Sequence, residues 1–131
     1  MSDEEASNIY IALVDDDQNL CRSFSRLLRA AGLHAVTYSS GEMFLADASR
    51  PRFNCLILDI QLTGISGLEL HRQLTSLGSK TPVIYLTANT DSETRKQAMA
   101  NGCTGYFYKT DAGDTVIGAI KKALVDFPKT S

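Results

Sequence analysis

Short apolar runs alternate with stretches of helical spacing along the 131-residue chain, and this alternation limits its possible folds more than any other feature. Residues 9–14, 55–58 and 83–86 are continuous apolar runs, which are typical of strands covered on both faces of a sheet. Residues 35–38 are a weaker candidate that should lie at an edge, and residues 104–108 form the last predicted strand. A predicted helix follows each strand, so the chain contains five βα units in sequence.

The predicted helices differ in how many apolar residues they contain. The first should end at Gly32 and the third at Gly78, while the second should begin at Ser39 or Ser40. The fourth, residues 91–101, has few large apolar side chains and should be loosely held. The apolar residues that mark the other helices are Leu20, Phe24, Leu27, Leu28 and Ala31 in the first, Leu70, Leu74 and Leu77 in the third, and Val116, Ile117, Ile120 and Leu124 in the last.

Five βα units predict an α/β fold of three layers, in which a parallel sheet lies between two layers of helices. Right-handed crossovers leave few topologies, and the solution with five units is the doubly wound, flavodoxin-like strand order 2-1-3-4-5. Residues 8–126 should form this single domain, and residues 1–7 and 127–131 should be flexible tails. In such sheets a ligand binds at the carboxyl ends of the strands, so the residues there are the candidates for function.

Polar side chains directly follow four of the predicted strands. Asp15 and Asp16 follow the first, Asp59 follows the third, Thr87 ends the fourth and Lys109 follows the fifth. These strands are neighbours in the predicted order, so three carboxylates, a hydroxyl and an ammonium can converge at one edge of the sheet. The sequence therefore predicts a charged site at this edge.

Three carboxylates at one point repel one another and resist burial, so a cation must offset their charge. Mg²⁺ suits them, because it prefers oxygen ligands and completes its shell with waters and a phosphate oxygen. Helix capping is the competing explanation for residues 15–17, and we assign either Asp17 or Asn19 to the cap. Asp59 favours a metal for Asp15 and Asp16, because it has no obvious helix of its own to cap.

The composition argues against several other classes of protein. Lys plus Arg is 13 and Asp plus Glu is 15, and a net charge of −2 argues against direct nucleic-acid binding. Cys21, Cys55 and Cys103 lack metal or disulfide spacing and should be reduced thiols. No apolar run approaches the ~20 residues of a membrane span, and the first residues lack a secretion signal. We therefore expect a soluble, cytoplasmic protein with no membrane contact.

Four motifs, "ALVDDD", "LILDIQLTGISGLEL", "VIYLTAN" and "GYFYK", resemble in order and spacing the receiver domain of two-component response regulators. The resemblance covers about residues 8–126 and implies the CheY-like form of the flavodoxin-like fold. "GISGLEL" is most similar to receivers that precede LuxR-type helix-turn-helix output domains, which implies a role in transcription regulation. The implied partners are a sensor histidine kinase and, if the chain is a fragment, an output domain.

The resemblance implies a role for each residue of the charged site. Asp59 matches the aspartate that accepts a phosphoryl group, and Lys109 matches the lysine that pairs with the phosphate. Asp16 matches the direct Mg²⁺ ligand, and Asp15 matches an acid that binds the metal largely through water. The Gln61 position contributes its backbone carbonyl to the metal.

The resemblance also implies a switch. Thr87 matches the hydroxyl that hydrogen-bonds the phosphoryl oxygen, and Tyr106 matches the aromatic residue that changes rotamer with it. Gln61 and Asn89 match the positions that tune the lifetime of the phosphoryl group. The face formed by residues 91–126 is the implied homodimer or partner surface.

The implied function is transfer of a phosphoryl group from a kinase phosphohistidine to Asp59, with Mg²⁺, followed by hydrolysis. Such a protein is not a conventional enzyme, because it catalyses phosphorylation and dephosphorylation of its own residue. Residues 62–64 read Leu-Thr-Gly where Met-Pro-Gly is usual, and Thr110 replaces a proline with a cis bond. A cis bond without proline costs ~2.5–4 kcal/mol, so we expect the 109–110 bond to be trans. A pseudo-receiver that acts only as an interaction module is the alternative.

Three other kinds of site use the same acids and fit the sequence less well. An EF-hand loop from Asp15 would require Gly and Glu where Leu20 and Arg26 stand. A haloacid-dehalogenase phosphatase would require Thr or Val in place of Asn19, and more chain for a cap. A flavin or nucleotide site would require a Gly-rich loop after the first strand, which the sequence lacks.

Overall fold

Strands and helices alternate throughout residues 8–126, the part of the chain that this computed structural model describes. The strands are β1 (Tyr10–Val14), β2 (His34–Tyr38), β3 (Cys55–Leu58), β4 (Val83–Thr87) and β5 (Gly105–Tyr108). The helices are α1 (Gln18–Ala30), α2 (Gly41–Ala46), α3 (Gly67–Ser76), α4 (Ser92–Ala100) and α5 (Gly113–Asp126). The predicted alternation is confirmed, whereas the predicted tails, residues 1–7 and 127–131, lie outside the described residues.

All strand pairs are parallel, and the order β2-β1-β3-β4-β5 is the one predicted from the sequence. Val14 at the end of β1 pairs with Leu58 at the end of β3, and Thr87 at the end of β4 pairs with Tyr108 at the end of β5. The residues that follow these strands therefore emerge at the same edge of the sheet. β2 lies at one side of the sheet, as predicted for the weakest apolar run.

Two apolar cores lie on opposite faces of the sheet, which confirms the three-layer architecture. One core joins alternate strand residues to α2, α3 and α4 through side chains such as Phe44, Leu70 and Ala98. The other joins the remaining strand residues to α1 and α5 through side chains such as Leu28 and Ile120. The apolar residues of β1 from Ile11 to Val14 are completely buried, as expected for a strand covered on both faces.

Side-chain caps fix the beginnings of the helices and decide two alternatives that the sequence left open. The Asp17 carboxylate caps α1 by accepting hydrogen bonds from the N–H groups of Asn19 and Leu20. Ser40, rather than Ser39, caps α2 by accepting from the N–H of Met43. The third aspartate of residues 15–17 thus belongs to a helix, which separates it from the first two.

The predicted apolar face of the third helix is wrong at one position. Leu77 is 75% exposed because α3 ends at Ser76, and the chain turns away through Gly78, whose φ is +90°. Leu27 in α1 is also partly exposed, at 39%, although its neighbours Phe24 and Leu28 are buried. Ala98 is the buried residue of α4, in agreement with the few large apolar side chains of the fourth predicted helix, while its loose attachment stays a prediction.

Two further expectations concern the cysteines and membranes. The cysteines are free; two are buried and Cys103 is partly exposed, in agreement with reduced thiols. Among the described residues, no helix is both long and apolar enough to cross a bilayer.

Candidate functional site

The Asp59 carboxylate lies at the centre of the edge where the strands end. Asp59 directly follows β3, is only 4% exposed, and donates its backbone N–H to the carbonyl of Val14. Lys109 follows β5, and its Nζ lies 3.0 Å from Asp59 Oδ2. The backbone N–H of Lys109 donates to the carbonyl of Thr87 at 2.9 Å, which continues the β4–β5 pairing to the base of the lysine side chain. The sheet thus holds both charged groups through their backbones.

Asp15, Asp16 and Asp59 form a cluster of carboxylates beside this pair. Each offers an oxygen, and these oxygens lie within 4.8 Å of one another. Asp15 is completely buried, and its Oδ1 accepts a hydrogen bond of 2.8 Å from the N–H of Asp17. Asp16 is exposed, and Thr63 Oγ1 donates to its Oδ2 at 3.5 Å. The cluster therefore has a buried side and a side open to solvent.

Burial and the Lys109 ammonium have opposite effects on the pKa of the Asp15 carboxyl. Burial raises the pKa of the Asp15 carboxyl above its ordinary value, and the Asp17 N–H and Lys109 only partly offset this effect. Burial lowers the pKa of Lys109, but its hydrogen bonds and charge interactions with Asp59 and Asp15 outweigh burial and raise it overall. Lys109 is therefore held as an ammonium between the buried carboxylates of Asp15 and Asp59. Its positive charge offsets part of the repulsion among the three acids.

A bound metal ion would offset the negative charge of the acids that Lys109 does not neutralise. Lys109 Nζ lies 3.0 Å from Asp15 Oδ2, but no residue of the described chain makes a hydrogen bond of good geometry to this buried oxygen. A buried carboxylate oxygen without a donor is a natural ligand for a hard cation, and the carboxylates of Asp16 and Asp59 beside it complete a set of oxygen ligands that matches Mg²⁺. The residues present thus fit the predicted metal. Gln61 places its N–H 3.3 Å from Asp59 Oδ1, while the use of its carbonyl as a ligand stays a prediction.

Thr87 ends β4 beside the charged groups and is completely buried. Its Oγ1 accepts a hydrogen bond of 3.1 Å from the N–H of Asn89, so the hydroxyl proton is directed elsewhere. Asn89 in turn accepts from the N–H of Asp91, which caps α4. A short chain of hydrogen bonds thus connects the Thr87 hydroxyl to the beginning of α4.

Tyr106 lies on β5 directly opposite Tyr85 of β4, and it is 8% exposed. The Arg95 guanidinium of α4 stands 5.3 Å from the centre of the Tyr106 ring, and it donates a hydrogen bond to the hydroxyl of Tyr108. The predicted switch residue is therefore inside the protein, between β4 and the loosely packed α4.

The Lys109–Thr110 bond departs from the usual proline but leaves the site intact. No peptide bond within residues 8–126 is cis, so the prediction of a trans 109–110 bond is confirmed. Lys109 still contacts both buried acids. The absence of proline therefore does not remove the lysine from the site.

Two supporting residues escaped the reasoning from sequence. A Cβ on Gly67 would overlap the backbone oxygen of Asp59, so only glycine allows α3 to begin so close to Asp59. Glu42 of α2 accepts a hydrogen bond of 2.8 Å from the N–H of Ile65 and fixes the loop between β3 and α3. The motif "GISGLEL" contained the glycine, but its backbone contact could not be inferred from spacing.

The strand order and the cluster of acids beside a lysine at the strand ends define a class of protein, the domains with the CheY-like flavodoxin fold. The sequence model described as "Response regulator receiver domain" matches residues 11–121, so the chain belongs to the response regulator receiver family. The predicted family, fold and transcription-regulator relatives are thus confirmed.

Individual relatives agree with this assignment. The chain is 38% identical to the response regulator protein TodT of Pseudomonas putida over 95% of this chain and 53% of TodT. It is 31% identical to the transcriptional regulatory protein FixJ of Azorhizobium caulinodans, over 87% of this chain and 54% of FixJ. The BeF₃-activated receiver domain of DrrB, a Thermotoga maritima protein, superposes with a TM-score of 0.81 at 30% identity, covering 89% of this chain and 97% of that domain. The chain thus spans about half the length of the curated relatives it matches.

Proposed function

We propose that this receiver domain is a phosphorylation switch in which Asp59 accepts a phosphoryl group from the phosphohistidine of a sensor histidine kinase. The observation that carries the proposal is the position of Asp59, whose buried carboxylate lies 3.0 Å from the Lys109 ammonium and beside two further acids. A structural ion pair would need one acid, whereas this site gathers three, two of which contact Lys109. The relation to the DrrB receiver, described as BeF₃-activated, supports the same chemistry here.

The transfer is a displacement at phosphorus. A carboxylate oxygen of Asp59 forms a bond to phosphorus as the P–N bond of the phosphohistidine breaks, and the imidazole nitrogen keeps the electron pair. Lys109 binds the negative equatorial oxygens of the transferred group. Mg²⁺, held by Asp15, Asp16, Asp59 and the Gln61 carbonyl, would neutralise the charge that develops on those oxygens. Water later attacks the phosphorus, which restores the carboxylate and releases inorganic phosphate.

The phosphoryl group changes what the Thr87 hydroxyl can bind. Thr87 Oγ1 accepts from the Asn89 N–H, so its own proton is available to a phosphoryl oxygen. Movement of Thr87 toward the new oxygen leaves space on the side that Tyr106 faces, and the ring settles there. Because Ala98 is the buried residue of α4, this helix should shift at low cost when the two side chains move.

Gln61 and Asn89 should set how long the phosphoryl group lasts. Gln61 is exposed beside Asp59, and Asn89 is partly buried beside Thr87, so both flank the path of an attacking water. Their side chains can orient or exclude that water without taking part in the acceptor chemistry. We assign them to rate tuning rather than to the transfer.

The partners follow from the same proposal. The phosphoryl donor is a sensor histidine kinase, and the signal passes through the face of residues 91–126 to a second receiver or to an output domain. Because the chain spans about half of TodT and FixJ, we propose that a LuxR-type DNA-binding domain follows this receiver in the whole regulator. The receiver itself would not contact nucleic acid, and the exchange with the kinase would take place in the cytoplasm.

Intact-protein mass spectrometry after incubation with a small phosphodonor and Mg²⁺ tests the proposal. Wild-type protein should gain about 80 Da, the mass of one phosphoryl group, and lose it again with time. Asp59→Asn should not gain this mass, while Asp17→Asn, which affects the α1 cap, should still gain it. A pseudo-receiver would show no gain in the wild-type protein.

A further inference from the structure

A hydrogen-bonded pair of buried polar side chains, His71 and Tyr85, lies behind the proposed switch and takes no part in its chemistry. His71 Nδ1 of α3 is 2.7 Å from the Tyr85 hydroxyl of β4, and the residues are 6% and 0% exposed. Tyr85 precedes Thr87 by two residues, so both point to the same face of the sheet. Tyr85 is also the direct neighbour of Tyr106 across the strands, with ring centres 6.1 Å apart.

The pair is neutral and therefore suited to a buried place. Burial, followed by the nearby charge of Arg72, lowers the pKa of His71 below its ordinary value. Burial raises the pKa of the Tyr85 phenol to about 12. A neutral imidazole and a neutral phenol are thus joined by one hydrogen bond. This bond holds the hydroxyl end of the Tyr85 side chain against α3.

The two sides of Tyr106 differ in how firmly they are held. The Tyr85 side belongs to β4 and α3, and α3 buries Leu68, Leu70 and Leu74 in the core. The other side faces Arg95 on α4, a helix whose buried residue is a single alanine. Tyr106 therefore lies between the firmly held ring of Tyr85 and the loosely packed helix α4.

We propose that His71 and Tyr85 are positioning residues of the switch: His71 holds the Tyr85 ring as the wall against which Tyr106 packs in its buried position. This inference rests on the proposed function, in which phosphorylation favours the buried Tyr106. A wall that stabilises this position before phosphorylation raises the population of the state that binds the phosphoryl group. The apparent affinity for that group rises by the same factor.

Binding of Mg²⁺ and of the phosphoryl mimic beryllofluoride to matched variants tests the inference. Tyr85→Phe keeps the ring and removes its hydrogen bond to His71. His71→Leu removes the same hydrogen bond by deleting the other partner. Each should weaken beryllofluoride binding by about fivefold, the factor that one net hydrogen bond supplies, while Mg²⁺ alone binds as before. The double variant should be no weaker than the singles, because both remove one interaction.

A signal from Tyr106 itself separates positioning from a general loss of stability. The five tyrosines can be labelled with 3-fluorotyrosine, and Tyr106→Phe identifies the ¹⁹F signal of Tyr106. In metal-free Tyr85→Phe and His71→Leu this signal should shift or split, because the ring occupies its buried position less often than in wild type. The matched control is Ile11→Val, which trims a completely buried side chain in the core on the opposite face of the sheet. It should change neither beryllofluoride affinity nor the Tyr106 signal.

Two results would overturn the inference, and they differ in what else they affect. If wild-type protein binds beryllofluoride with Mg²⁺ and both variants match it in affinity and ¹⁹F signal, the positioning role is wrong and the proposed function stands. If wild-type protein does not bind beryllofluoride at all, the proposed function fails and the positioning role fails with it.

Discussion

The Lys109 ammonium lies 3.0 Å from the Asp59 carboxylate, across a separation of 50 residues in the sequence. The same ammonium is 3.0 Å from Oδ2 of Asp15. Lys109 follows β5 while the acids follow β1 and β3, so the contact exists only when the central strands are in register. This one cation therefore joins three parts of the sheet and offsets part of the charge of the acid cluster without a metal.

Removal of this cation should destabilise the metal-free protein. Lys109→Met leaves two buried carboxylates unpaired, and because the lysine is partly exposed we expect a loss of about 2 kcal/mol in the free energy of unfolding at neutral pH. Phosphoryl acceptance should also fall, by about 10²-fold. Urea denaturation in EDTA and intact-mass kinetics measure the two effects.

Lys122→Met, which removes an exposed ion pair with Asp126, is the control and should behave as wild type. Equal stability of Lys109→Met and wild type would contradict this account.

Removal of the completely buried Asp15 carboxylate should instead stabilise the metal-free protein. Because the pKa of Asp15 is raised in the folded state, the folded protein binds the proton more tightly and loses stability as pH rises from about 3.8 through the raised pKa. In EDTA, the stability of Asp15→Asn relative to wild type should therefore increase over that range and then become constant. Added Mg²⁺ should reduce this advantage, because only wild type presents the charged ligand. A difference that is constant from pH 3.5 to 7 in EDTA would show that burial of Asp15 is not the cause.

His71 predicts a separate sensitivity to acid. Its pKa is lowered in the folded state, so below about pH 6.5 the unfolded chain takes up a proton that the folded protein refuses, and stability falls until the folded pKa is reached. His71→Leu should lack this part of the acid dependence. Denaturation curves between pH 5 and 8 measure it, and parallel pH profiles for the two proteins would rule it out.

Gly67 should be intolerant of the smallest side chain. An added Cβ meets the backbone oxygen of Asp59, so Gly67→Ala should lower the free energy of unfolding by about 3 kcal/mol and displace the acceptor. Gly118 of α5 is the matched control, because nothing lies within 4 Å of its added Cβ. Gly118→Ala should raise stability by about 0.5–1 kcal/mol through helix propensity. The account fails here if Gly67→Ala retains wild-type stability and phosphoryl acceptance.

The sequence predicts the sheet well because each buried strand is a continuous apolar run. The site follows from the same pattern, since a polar residue at the end of such a run must emerge at the carboxyl edge of a parallel sheet. This pattern alone predicts that Asp15, Asp16, Asp59 and Lys109 lie at that edge. The role of Asp17 was ambiguous, because a helix cap and a metal ligand prefer the same residue type.

The features that escaped prediction depend on contacts between distant parts of the chain. Gly67 is required by one backbone oxygen that approaches it, and no periodicity records such an approach. His71 lies among the apolar residues of α3 and could equally have faced solvent, until the fold set the Tyr85 hydroxyl beside it. Leu77 fitted the helical spacing but fell just beyond the last turn, where spacing no longer determines direction.

Chemical trapping of the phosphorylated residue tests the central claim most directly. After reaction with a phosphodonor and Mg²⁺, borohydride reduces an aspartyl phosphate to homoserine, and peptide mass spectrometry identifies the changed position. We expect homoserine at position 59 alone, dependent on the donor and absent when Mg²⁺ is removed by EDTA. Homoserine at Asp15 or Asp16, or no reduced residue under conditions in which the protein is folded, would contradict the assignment of Asp59 as the phosphoryl acceptor.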